Sequence, residues 1–81
     1  MDNEYLYFHL LAESESGKTN IYEVRSKHHG TCLATVKWYG PWRQYAMFPE
    51  PETIWNIGCL AEISAFVEGL MRDRSRGRTT A

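Results

Sequence analysis

His28, His29 and Cys32 lie within five residues of one another, with His9 and Cys59 elsewhere in the chain. Imidazole nitrogens and thiolates are zinc ligands, and a structural site takes four of them on a rigid frame. His-His-x-x-Cys is not the paired spacing of a zinc finger. It reads instead as an exposed hairpin tip beside a buried thiol, with no metal bound. A Cys–His nucleophile needs an activated thiolate and an oxyanion hole. Cys59 is the better placed of the two thiols, because it would sit near the positive end of a helix beginning nearby. No flanking motif supports that role, and 81 residues leave little room for a substrate cleft. Glu50 and Glu52 sit among prolines as solubilising loop carboxylates rather than an acid–base pair. The glycines are scattered and form no phosphate loop. The expectation is a protein that is not an enzyme and carries no cofactor.

Binding chemistry is better represented. Trp38, Tyr39, Trp42, Tyr45 and Phe48 fall within eleven residues around a Gly40-Pro41 turn. The net charge of −1 conceals alternating blocks. Residues 1–24 carry −4, 25–49 carry +4, 50–68 carry −4 and 69–81 carry +3. A basic block can meet an anionic partner while the whole molecule stays near neutral. Equally, opposite blocks can pair within the fold.

Strands and one helix must position these side chains. Asn20–Lys27, Cys32–Tyr39 and Arg43–Phe48 are rich in β-branched and aromatic residues and separated by turn signals. His28-His29-Gly30 suits a three-residue hairpin loop with Gly in the left-handed position. Gly40-Pro41-Trp42-Arg43 suits a four-residue turn with Pro second. These turns pair Lys27 with Thr31, Val24 with Ala34, Tyr22 with Val36, Trp38 with Tyr45 and Val36 with Met47. Alternation then puts Tyr22, Val24, Ser26, Cys32, Ala34, Val36, Trp38, Tyr45 and Met47 on one face. Ile21, Glu23, Arg25, Lys27, Leu33, Thr35, Lys37, Tyr39, Gln44, Ala46 and Phe48 take the other. A one-residue slip in either turn would mix the two sets.

Pro49 and Pro51 end the sheet. Asn56 suits an N-cap, and Ile57, Leu60, Ile63, Phe66, Val67 and Leu70 recur at helical spacing. Glu62, Ser64 and Glu68 fall on the opposite, wet face, and Arg72 and Arg74 complement the helix C-terminus. Glu4–Leu11 alternates as a strand pairing with Asn20–Lys27, with an N-terminal helix as the alternative. The fold class is α+β, a three- or four-stranded antiparallel meander with one C-terminal amphipathic helix on one face. One domain covers 1–72 and a disordered basic tail covers 73–81.

The run Lys-Trp-Tyr-Gly-Pro-Trp-Arg-Gln-Tyr-Ala-Met-Phe-Pro, followed by Cys-Leu-Ala-Glu-Ile-Ser-Ala-Phe, resembles small uncharacterised bacterial and phage reading frames. These share a Trp-Tyr-x-x-Trp-Arg-x-Tyr-x-Phe-Phe-Pro core and a Cys-Leu-x-x-Ile-x-x-Phe helix. The resemblance covers about residues 21–70, with Met47 in place of Phe. It implies a compact domain of bacterial or phage origin and no particular activity. The order of three strands and a helix is also similar to the plant AP2 domain and the arm-binding domains of phage integrases, without their motif residues.

Two uses of the basic sheet face follow. The first is a non-catalytic protein-binding module, such as a phage or mobile-element accessory factor, since aromatics and Arg mark interfaces. The free Arg43–Phe48 edge could take a partner strand or a second copy. The second is a nucleic-acid-binding domain that adds the Arg-rich tail. The candidate partner-binding residues are Arg25, Lys27, Leu33, Lys37, Tyr39, Trp42, Gln44 and Phe48. Two isolated cysteines and an acidic start without a signal-peptide pattern point to the cytoplasm, away from membranes.

Overall fold

A computed structural model describes residues 3–80, with side chains described as far as Arg74 in the C-terminal helix. Strands β1 (Leu6–Glu13), β2 (Asn20–Ser26), β3 (Cys32–Tyr39) and β4 (Gln44–Pro49) form one antiparallel sheet in the order β1-β2-β3-β4. Helix α1 (Ile57–Thr80) follows. The N-terminal alternation therefore resolves as a strand. Each neighbouring pair is joined by a short connection, which is what a meander requires.

The Gly40–Trp42 turn is a single 3-10 turn. The Arg43 N–H donates to Gly40 O at 3.0 Å, and Arg43 is left-handed at φ 54°. Trp38 faces Tyr45 and Val36 faces Met47, as the turn chemistry predicts. The β2–β3 loop differs. It runs through four residues, 27–30, closed by Gly30 N–H to Ser26 O at 2.8 Å and Ser26 N–H to Thr31 O at 3.0 Å. Ser26 Oγ accepts the N–H groups of His28 and His29, both at 3.2 Å. That side chain stabilises one helical turn, which takes one residue more than the expected loop. Gly30 keeps the left-handed position, at φ 71°.

A β-bulge absorbs the difference. Arg25 faces Cys32, while Val24 still faces Ala34 and Tyr22 still faces Val36. The bulge reverses two assignments. Cys32 shares the outer side with Arg25, and Leu33 packs against the core instead of standing on the outer face.

Leu6, Val24, Ala34, Val36, Tyr45, Cys59 and Ile63 form the buried core. Phe66 stacks on Phe8 with centroids 4.0 Å apart and meets Tyr22 edge-on at 5.0 Å. Asn56 caps α1, its Oδ1 accepting the Cys59 N–H at 2.7 Å. The buried stripe starts at Cys59 and continues through Ile63, Phe66, Val67, Leu70 and Met71. Ile57 is instead 85% exposed and Leu60 47%. Gly58 explains the change of phase. A Cβ there would overlap the Tyr5 ring, so the Gly58 face of the first turn lies against the start of β1. Glu62, one turn later on that face, accepts the N–H groups of Glu4, Tyr5 and Leu6 at 2.9–3.3 Å. Its assignment to the wet face is corrected accordingly.

The expected tail starts inside the helix. Asp73 and Arg74 are helical, and the Arg74 guanidinium lies 4.2 Å from the Trp38 ring centroid. The helix continues to Thr80, and the side chains beyond Arg74, with Ala81 altogether, lie outside the described residues. No helix among the described residues is long and apolar enough to cross a membrane.

Candidate partner-binding surface

Helix α1 covers one face of the sheet and leaves the other open. The open face gathers part of the expected site. Tyr39 lies at the end of β3, and Trp42 follows in the turn, with ring centroids 4.9 Å apart and nearly perpendicular. Phe48 on β4 is 6.0 Å from Tyr39. Lys37 Nζ sits 4.9 Å over the Phe48 ring, a cation–π contact that leaves the ammonium in water. Tyr39, Trp42, Ala46, Met47 and Phe48 line a shallow depression of about 240 Å³ at the β4 edge. Trp42 is 65% exposed on its lip.

The other expected residues are held apart. Arg25 is committed to its own hairpin, with Nε donating to Glu23 Oε1 at 3.0 Å and Nη1 to Gly30 O at 2.6 Å. This is the one salt bridge among the described residues. The hydrogen bond from Arg25 holds the Glu23 carboxyl below its ordinary pKa, and the carboxylate in turn raises that of Arg25. Lys27 Nζ donates to Asn3 O at 2.5 Å. Leu33 packs against the core, as the bulge dictates. Gln44 is exposed at the start of β4, where it shares a groove with Met71 and Arg72 of α1 rather than with the aromatics.

The basic face therefore reduces to Lys37 beside an aromatic cluster. Sequence reasoning missed Ala46 and Met47 as lining residues. Ala46 was on the correct face without any property that singles it out. Met47 was assigned inward, and it reaches the depression because β4 is the edge strand.

The groups that could do chemistry are dispersed. The His28 and His29 rings are 6.5 Å apart on the exposed loop. Cys32 Sγ lies 3.6 Å from Ala34 O, and Cys59 is buried beneath the start of α1. Among the described residues, no three His, Cys, Asp or Glu side chains converge.

An uncharacterised 9.3 kDa protein of Acholeplasma phage L2 is 30% identical over 73 residues, spanning 90% of this chain and 92% of the phage protein. The chain belongs to that phage protein's family. The matched span takes in most of the sheet and helix of the phage-family domain, well beyond the aromatic box. No family model and no solved structure matches the chain.

Proposed function

We propose that this member of the phage family is a non-catalytic, cytoplasmic protein-binding module. It would act as an accessory factor on a partner protein. The observation that carries this reading is Trp42, 65% exposed on the lip of an apolar depression whose walls are Tyr39, Ala46, Met47 and Phe48. An exposed Trp beside other aromatics is the composition of an interface anchor. Lys37 supplies a cation at the same place. The complementary segment has an apolar side chain to fill the depression and a carboxylate to meet the ammonium. The withdrawal of Arg25 into its pair with Glu23 favours this partner over a phosphate backbone on the sheet face.

Affinity capture from bacterial lysate, with and without nuclease, tests the reading. The expected result is one protein retained after nuclease treatment by the wild type and released by Trp42→Ala. The absence of any protein retained after nuclease treatment, or retention after nuclease that survives Trp42→Ala, Phe48→Ala and their combination, contradicts it.

A further inference from the structure

The Gly40–Arg43 turn has a second side. Opposite the aromatic depression, Lys18, Trp38, Gly40, Arg43 and Arg74 line an open hollow of about 670 Å³. Its three cations come from three separate places, the β1–β2 loop, the β3–β4 turn and α1. No carboxylate is among its described lining residues. Two features fix its geometry. Arg74 stacks over the Trp38 ring at 4.2 Å and donates to Lys18 O at 3.4 Å. Arg43 is held at φ 54° with its N–H on Gly40 O. Trp38 also borders a second hollow, of about 330 Å³, which includes Lys37 and the Ser14 and Ser16 hydroxyls, with Glu15 as its one acid.

We propose that these adjoining hollows bind the phosphate backbone of a nucleic acid, with Arg43 and Arg74 as the principal phosphate contacts and Lys18 and Lys37 flanking them. Guanidinium forks match phosphate oxygens in bidentate geometry, and a lysine acts as a point charge beside them. A hollow this open and polar does not enclose a small molecule. Two hollows meeting at one tryptophan fit a ligand that repeats its charge along a chain. The aromatic depression shares only Lys37 with these hollows, so substitution of Arg43, Arg74 and Lys18 tests this site without touching protein binding there.

Fluorescence anisotropy with a labelled oligonucleotide of about 20 nucleotides, single-stranded and as duplex, tests the site. Salt is varied between about 50 and 200 mM. Each phosphate contact contributes about 0.7 to the log–log salt slope for a single strand and about 0.9 for a duplex. Arg74→Gln, and Arg43→Asn, which the left-handed backbone accepts, should each lower the slope by about that amount. With Lys18→Gln added, binding should fall at least tenfold at low salt while circular dichroism is unchanged. Lys27→Gln, at the other end of the sheet, is the control and should change nothing.

Three results would overturn the site. The first is no binding of either oligonucleotide at low salt. The second is a salt slope untouched by the triple substitution. The third is displacement of the oligonucleotide by polyglutamate at equal charge concentration, which would assign the hollow to acidic protein segments.

Discussion

Glu62 and Met71, nine residues apart on one helix, each occupy a backbone N–H on opposite edges of the sheet. Glu62 Oε1 accepts from Leu6 of β1 at 2.9 Å, and Met71 Sδ lies 3.5 Å from the Tyr45 nitrogen of β4. Tyr5 O accepts the Lys27 N–H, so by antiparallel alternation Leu6 points its N–H away from β2. Nine residues of helix rise about 13 Å. About 14 Å separates the outer strands of a four-stranded sheet, and the two long side chains supply reach along the strands. Pro49, which has no N–H, protects the end of β4 as well. Open edges invite pairing with other chains. One helix here both roofs the core and blunts two edges.

Glu62→Ala should cost about 1–3 kcal/mol in urea unfolding, since it leaves the Leu6 N–H without its acceptor. Glu62→Gln keeps one oxygen and should cost less. Amide exchange at Leu6 should quicken in the order wild type, Gln, Ala. Equal exchange in all three would show that Glu62 does not hold the edge.

The Glu23–Arg25 pair sets an acid dependence. The Arg25 hydrogen bond is the main reason that the Glu23 carboxyl titrates below its ordinary range. Its folded pKa lies below its unfolded one. The stabilisation is therefore complete above the unfolded value and is lost as pH falls through the folded value. Arg25→Gln should move the Glu23 titration, followed by NMR, up toward the ordinary carboxylate range. Both groups face solvent, so added salt should shrink the effect. A Glu23 titration unmoved by the substitution would contradict the pair.

Pairing of the strand bodies was legible in the sequence because two turns and two apolar faces had to agree. The bulge at Leu33 was not. It depends on Ser26 Oγ capping a four-residue loop, and that choice between loop lengths leaves the alternation beyond Val24 intact. As a result Leu33 left the candidate surface and Cys32 joined the outer face. The helix stripe was legible from Ile63 onward. Its first turn was not, because the contact of Gly58 with Tyr5 joins segments far apart in the chain. Charge type gave the basic residues but not their partners. Arg25 and Glu23 are two apart on one strand, a spacing that puts them side by side, and that signal was available.

Trp38 and Trp42, four residues apart, should behave differently. Trp38 packs on the core and meets Tyr45 edge-on with centroids 5.5 Å apart. Trp38→Ala should cost about 3 kcal/mol or more, in line with large-to-small core changes. Trp42 gives up chiefly its contact with Tyr39. Trp42→Ala should cost about 1 kcal/mol or less. Chemical denaturation of the two variants measures both. A folded Trp38→Ala variant of wild-type stability would contradict the inward assignment of that ring.

Gly58 and Gly69 of α1 offer a test in which the sign decides. Glycine to alanine within a helix ordinarily stabilises by about 1 kcal/mol. At Gly69 the nearest atom to a new Cβ is the tip of the Arg72 side chain, 3.8 Å away, so nothing opposes the gain. Gly69→Ala should raise stability by about 0.5–1 kcal/mol. At Gly58 the Cβ would enter the ring of Tyr5, whose backbone N–H, just before the β1 edge strand, donates to the Glu62 carboxylate. Moving the ring disturbs that edge, and overpacking of this kind costs about 1–3 kcal/mol. Gly58→Ala should therefore destabilise despite its better helix propensity. In a Tyr5→Ala background the obstruction is gone, and the same substitution should become neutral or stabilising. Urea midpoints of the two single glycine variants and of the Tyr5→Ala pair decide the matter. A stabilising Gly58→Ala in the wild-type background would mean that the first turn of α1 does not rest on Tyr5, and the outward placement of Ile57 and Leu60 would lose its cause.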